Sequence, residues 1–258
     1  MRPWVYTSVV ALGAAVASAL IAFSLVSGES PRAADATMTR EQVEQIVREY
    51  LLEHPELLIE VMNKLDEKQV AERAAAAKTI IAENRKALND DGYSFVGGNP
   101  NGDVTVIEFF DYRCIYCKHT RPNILALLEA DPNVRLVLKE FPILGPDSEI
   151  AAKAAMASLA QGKYWDFHNK MLGAEEKVTE ARVYELARDA GLDVERLKRD
   201  MAAPAIEEHI KANYDMAQKL GIDGTPSFII GDTLISSAQT LDELKQHVAA
   251  ARAKCETC

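Results

Sequence analysis

The chain reads as an α/β domain preceded by an α-helical segment, and three features of its 258 residues carry that reading. First, apolar runs at 104–110 and 134–141 flank a helical stretch at 118–129, which makes a strand–helix–strand unit. Second, a long helical tract at 148–220 is followed by two further short apolar runs and a last helix. Third, residues 39–88 are rich in helix formers, carry an apolar stripe and contain no cysteine.

Bulk properties agree with a globular protein. The composition is 48% apolar and 26% charged, enough for a core, and the length allows one large or two modest domains. The net charge is −10, and it stays there without residues 1–36, which hold two groups of each sign. An acidic chain with no basic cluster argues against nucleic acid as a partner.

Residues 1–36 are predicted to be a signal peptide or an N-terminal membrane anchor. No charge occurs between Arg2 and Glu29, and Arg2 marks the end that stays cytoplasmic. Ala34-Asp35-Ala36 fits the small-x-small pattern of a signal-peptidase site. The apolar stretch is nevertheless long enough to span a bilayer, so both readings stand. Either way the remainder is exported, to a compartment where disulfides form and persist.

Thr39 opens the helical segment, residues 37–92, with a capping box completed by Gln42. Val43, Ile46, Val47, Tyr50 and Leu51 repeat at helical spacing, Pro55 breaks the helix near His54, and Leu57, Leu58, Val61, Met62 and Leu65 resume the stripe. This segment is thin for a core of its own. It either packs on the domain that follows or on copies of itself, and its heptads are imperfect.

Turn-rich breaks at 89–92 and 97–102 bound the second domain, residues 93–258. A short strand is expected at 94–96, then the strand at 104–110, the helix after it and the strand at 134–141. This order implies a parallel pair with a right-handed crossover. Breaks at Gly162, Gly173, Gly191 and Pro204 divide the helical tract. A strand at 227–230, a Gly231-Asp232 turn and a strand at 233–236 make a hairpin. Thr240 starts the last helix, with Asp242 and Glu243 in its first turn.

Cys114-Ile-Tyr-Cys117 lies where the strand at 104–110 hands over to a helix. Free N–H groups and the helix dipole there favour an anion, and the thiolate is the reactive form of cysteine. Two other chemistries use such a pair. A zinc site needs further ligands, and no histidine clusters near this pair or near Cys255 and Cys258. A structural disulfide closing so short a loop contributes little stability. Thiol–disulfide exchange is the expectation, with no cofactor and no metal.

Three motifs occur in order: Glu108-Phe-Phe-Asp-Tyr-Arg-Cys114-Ile-Tyr-Cys117, Lys163-Tyr-Trp-Asp-Phe-His168 and Gly221-Ile-Asp-Gly-Thr-Pro226-Ser-Phe-Ile-Ile-Gly231. Together they resemble the DsbA-like branch of the thioredoxin superfamily over roughly residues 93–250. The resemblance implies a thioredoxin-like fold with a helical insertion at about 148–220. Arg48-Glu-Tyr-Leu-Leu-Glu-His-Pro-Glu-Leu57 is similar to the N-terminal module of the ScsC (suppressor of copper sensitivity) proteins. In that family the module can mediate trimer formation, and the trimeric members act as disulfide isomerases.

Roles follow from the chemistry and from the resemblance. Cys114, expected to be exposed, is the attacking thiol, and Cys117, a turn further in, resolves the mixed disulfide; the two make a redox-active disulfide. Ile115 and Tyr116 separate them and carry no positive charge, unlike the strongly oxidising DsbA pattern with its histidine. A less extreme oxidant is expected. Arg113, Lys118 and His119 either favour the thiolate or form a solvated rim. Glu108 sits inside an apolar strand; by resemblance it relays a proton to the inner cysteine, and the alternative is that strand alternation turns it to solvent. Lys139 is a candidate partner for it. Thr225 and Pro226 match the cis-proline loop of the family, which offers backbone to an extended substrate. Trp165, Phe167 and His168 are read as packing. Cys255 and Cys258 depart from the family pattern; a peripheral disulfide, a redox relay and a Cu(I) site are all open.

The expected function is an exported thiol:disulfide interchange protein, an oligomeric disulfide isomerase placed in the periplasm. By resemblance its partners are exported clients, a membrane redox partner and copies of itself in a homotrimer. A monomeric oxidase of the same chemistry is the nearest alternative. A copper-binding periplasmic protein is the alternative of another class.

Overall fold

The computed structural model describes residues 38–254. The signal or anchor expected at 1–36 and the Cys255–Cys258 pair lie outside the described residues. The chain forms two compact units that divide after Leu58.

In the first unit, α1 (Arg40–Glu53) opens on the expected capping box: Gln42 N–H donates to Thr39 Oγ1 at 3.3 Å, and Thr39 N–H donates to Gln42 Oε1 at 3.0 Å. His54 closes the helix through its N–H to Tyr50 O at 2.9 Å, and Pro55, which has no N–H to donate, follows. No residue of α1 is buried; Val43, Ile46, Val47 and Tyr50 are each about half exposed. α2 (Glu56–Glu83) begins here and continues through the division.

In the second unit, α2 has two characters. Ile59, Val61, Met62, Leu65 and Val70 stay exposed, whereas Ala77 and Ile81 are buried, as is Leu88 of α3 (Arg85–Asn89). Within this unit the end of α2 therefore packs on the domain, and its turns from Ile59 to Val70 stay exposed. Lys78 adds an ion pair to Asp232 at 2.7 Å.

The sheet comprises β1 (Phe95–Gly98), β2 (Val104–Phe110), β3 (Val134–Glu140), β4 (Ser227–Ile230) and β5 (Thr233–Ile235), ordered β1-β3-β2-β4-β5. β2 and β3 run parallel through α4 (Ile115–Ala130), as the strand–helix–strand order requires. The remaining pairs are antiparallel, and the β4–β5 hairpin turns at Gly231, whose φ of 64° suits glycine. Between β3 and β4 lie α5 (Pro146–Ser158), α6 (Tyr164–Gly173), α7 (Glu180–Asp189), α8 (Val194–Met201) and α9 (Pro204–Leu220); α10 (Leu241–Lys254) ends the fold.

Both sheet faces are covered, which is why β2 and β3 read as continuous apolar runs. Val106, Phe110, Leu136, Leu138 and Phe228 face a core shared with Leu127, Phe167 and Leu244. Ile107, Phe109, Val137 and Ile229 face the other way, onto Ile81, Leu88, Met216 and Leu220. Strand alternation thus turns Glu108, between Val106 and Phe110, into the first of these cores rather than to solvent. Among the described residues, no helix is long and apolar enough to cross a membrane.

Candidate active site

The C-terminal end of β2 builds the site. Asp111 shapes the turn that follows: its carboxylate accepts from Arg113 N–H at 2.7 Å, Leu144 N–H at 3.0 Å and Ser148 Oγ at 2.8 Å. Its carbonyl accepts from Cys114 N–H at 3.1 Å. The strand-to-helix turn is thereby tied to the start of α5. Sequence reading passed over Asp111; an acid two residues before an arginine in a tight turn is the signal that marked it.

Cys114 is the N-cap of α4, with extended backbone dihedrals. It is 6% exposed, so the expectation of an exposed sulfur is corrected. The cover comes from the opposing loop, where Thr225-Pro226 is a cis peptide and Cys114 Sγ donates to Thr225 O at 3.1 Å. Ile115 and Tyr116 are 53% and 60% exposed and form the outer rim. Cys117 is fully buried, and both cysteines are free thiols in this structure.

The two thiols are held at opposite ends of the titration range. Cys114 is lowered from 9.0 to about 6 by its hydrogen bond with Cys117, then by the Thr225 side chain and the N–H groups of Cys117 and Tyr116; partial burial opposes them. Cys117 is pushed far up by burial, by its bond to Cys114 and by the neighbouring Glu108. Glu108 is fully buried, and neither carboxyl oxygen has a hydrogen-bond partner among the described residues. Burial first, and the Cys114 anion second, raise it to about 8.

Lys139 does not neutralise Glu108. The parallel register sets Glu108 beside Leu138 and Phe109 beside Lys139, so the lysine occupies the opposite face of the sheet. There it pairs with Asp91 and donates to Ala87 O at 2.9 Å.

A second buried acid shares the Glu108 face, since Glu140 lies beside Phe110 in the same register. Its Oε1 accepts from Tyr164 at 2.7 Å and Tyr112 at 3.1 Å, and the Tyr112 hydroxyl lies 3.0 Å from His168 Nδ1. Burial lowers His168 to about 3 and holds it neutral, in keeping with its packing role. Trp165 stacks on it at 5.7 Å, and Phe167 is fully buried. Glu140 was not singled out from the sequence, because an acid after Lys139 at a strand end resembles a solvated terminus.

Among the described residues, no cluster of histidine, cysteine and acids could hold a metal ion. The site offers instead a low-lying thiol over a high-lying thiol, with an unpaired carboxyl beneath them. Such a set can exchange disulfides and move a proton inward or outward.

Comparison with known proteins agrees with that chemistry. A family model described as the DSBA-like thioredoxin domain matches residues 105–249. A second, the copper resistance protein ScsC N-terminal domain, matches residues 40–72. The crystal structure of a thioredoxin-like oxidoreductase from Silicibacter pomeroyi is 47% identical, covers 67% of this chain and 99% of its own, and superposes with a TM-score of 0.66. The probable disulfide bond formation protein D of Bacillus cereus is 30% identical over 150 residues, 53% of this chain and 69% of that protein. The Na(+)/H(+) antiporter NhaA 3 of Salinispora tropica is 29% identical over 143 residues. That match takes in 55% of this chain but 22% of the antiporter, so the chain spans about a quarter of the length of the first curated relatives it matches.

Proposed function

This chain belongs to the DSBA-like thioredoxin domain family, and from that premise we propose that it exchanges thiols and disulfides on exported proteins, with Cys114 attacking and Cys117 resolving. The observation that carries the proposal is the opposed titration of two adjacent thiols above an unpartnered buried carboxyl.

The Cys114 thiolate attacks one sulfur of a client disulfide. A Cys114–client disulfide forms, and the other client sulfur leaves with the electron pair. Glu108 takes the Cys117 proton, and the Cys117 thiolate then attacks Cys114 Sγ. The Cys114–Cys117 disulfide forms and the client thiolate departs, so the client is reduced by two electrons and the protein oxidised by two. Run backwards, the same steps oxidise a client. In isomerisation a second client thiol attacks the mixed disulfide before Cys117 does, and the protein is regenerated unchanged. The cis-Pro loop supplies the Thr225 backbone for an extended client to lie against.

The test is direct. Cys114→Ala abolishes exchange with a scrambled disulfide substrate, and Cys117→Ala accumulates mixed disulfides with it. Wild-type-like exchange by Cys114→Ala would falsify the assigned roles.

We further propose that the protein works in the periplasm, freed by signal cleavage or tethered by its first 36 residues, and passes electrons to a membrane redox partner. Copies associate through residues 39–70 into a homotrimer that isomerises disulfides. The support is an apolar set left uncovered, from Val43 to Val70, within the stretch that matches the ScsC N-terminal domain. Light-scattering mass and isomerase assays compare residues 37–258 with residues 71–258. The cut at 71 retains Ala77, Ile81 and Leu88, which the core requires. A trimer mass and higher isomerase activity for the longer chain alone are expected; equal mass and activity remove the oligomer.

A further inference from the structure

Beside Cys114 lies a groove that the exchange chemistry leaves unused. It encloses about 260 Å³ and is lined by Arg113, Lys118, Leu144, Lys177 and Val178. Three of those five side chains are cations and none is an acid, in a protein whose net charge is −10. Arg113 directly precedes Cys114. Lys118 stands one helical turn beyond it, its N–H donating to Cys114 O at 3.1 Å. Two of the lining residues therefore flank Cys114 at the start of α4.

Its charges are hydrogen-bonded but scarcely neutralised. Lys118 Nζ donates to two carbonyl oxygens, those of Ala174 at 2.6 Å and Glu176 at 3.2 Å. Arg113 Nη1 donates to Leu144 O at 2.7 Å, and the Asp147 carboxylate lies at a long 3.9 Å from it. Lys177 is exposed, and no acid pairs with it among the described residues. The nearby Glu176 carboxylate is turned to Arg182 at 3.3 Å. Leu144, 44% exposed, gives the hollow an apolar edge on which an aliphatic stem can lie, with Val178 buried behind it.

We propose that this groove selects clients by receiving an acidic side chain that lies within a few residues of the client cysteine. The inference rests on the exchange reading above and adds which polypeptides the site prefers. Three cations within a Debye length of one carboxylate raise the encounter rate and fix the register of an extended chain. Elsewhere the negative surface repels the same client, which concentrates acidic segments at the groove.

The test uses three short peptides, each with one cysteine joined by a disulfide to thionitrobenzoate. The residues flanking the cysteine are Asp and Glu, Ser and Gln, or Lys and Arg. The Cys114 thiolate of the reduced protein attacks the peptide sulfur, the peptide–thionitrobenzoate bond breaks, and coloured thionitrobenzoate leaves with the electron pair. The acidic peptide is expected to react about tenfold faster than the neutral one, the effect of two or three partly exposed ion pairs acting together. The preference shrinks in about 1 M salt, where screening is short-ranged. Lys177→Glu brings the acidic-to-neutral ratio to about one or below, whereas Lys211→Glu, the same charge change on α9, retains it. Equal rates for the three peptides, or a ratio that Lys177→Glu does not move, overturn the client preference and leave the exchange chemistry standing. No release from any peptide overturns both.

Discussion

At the scale of single residues, Glu108 stands out as a buried carboxyl with no hydrogen-bond partner among the described residues. Buried beside Cys117 without a cation, it is raised to about 8 instead of its ordinary 4.5. The folded state therefore holds its proton more tightly than the unfolded chain does. That contribution to stability is complete below pH 4.5 and is lost as pH rises through about 8. Glu108→Gln, which does not titrate, should gain on the order of 5 kcal/mol relative to wild type between acid and alkaline conditions. Urea unfolding of the reduced proteins near each limit checks the sign. The same variant should slow decay of the client mixed disulfide about 100-fold, the typical contribution of a positioned base. Cys114 sets the redox poise in turn. A thiol near 6 stabilises the reduced form more than thioredoxin's (about 7) and less than that of DsbA (about 3.5). The expected reduction potential falls between about −270 and −120 mV, measured against glutathione. That agrees with a C-x-x-C dipeptide, Ile115-Tyr116, that lacks a histidine.

At the scale of elements, the long helical segment divides by what covers it. Leu88→Ala or Ile81→Ala removes apolar packing from the core and should destabilise by about 2–5 kcal/mol in chemical unfolding. Asp91→Ala strands the buried Lys139 and should cost about 3–5 kcal/mol. Ile46→Ala, on the uncovered helix α1, should change the unfolding of the isolated chain by less than about 0.5 kcal/mol. Much of this architecture was legible beforehand. Thr39 and Gln42 announce a helix start, Pro55 announces its break, and the two apolar runs around the Cys114 helix announce the parallel pair. The division within α2 was not legible, because Val61 and Met62 repeat with the same spacing as Ile80 and Ile81. Periodicity identifies an apolar face and is silent on which neighbour meets it. Lys139 failed for a related reason: its partner, Asp91, is distant in sequence and on the opposite face from the residue it was expected to join.

At the scale of the whole molecule, the exchange site and the uncovered apolar stripe make separable claims. Replacing Val43 and Ile46 together with glutamate should abolish association in light scattering and lower isomerase activity. Exchange with a small disulfide should persist, since neither residue belongs to the site. Of the site, Cys114, Cys117, Glu108 and the Thr225-Pro226 loop were legible, because each sits in a motif of fixed order. Asp111, Glu140 and the basic groove were not, because they come together through the start of α5 and the stretch after α6. The claim on which all of this depends is that Cys114 is a thiolate near neutral pH while Cys117 is not. The rate of Cys114 alkylation in the reduced protein, followed by mass across pH, tests it most directly. A single rise centred near pH 6 is expected at Cys114, with Cys117 unmodified. A rise near the ordinary thiol value of 9.0, or equal labelling of both cysteines, would contradict it.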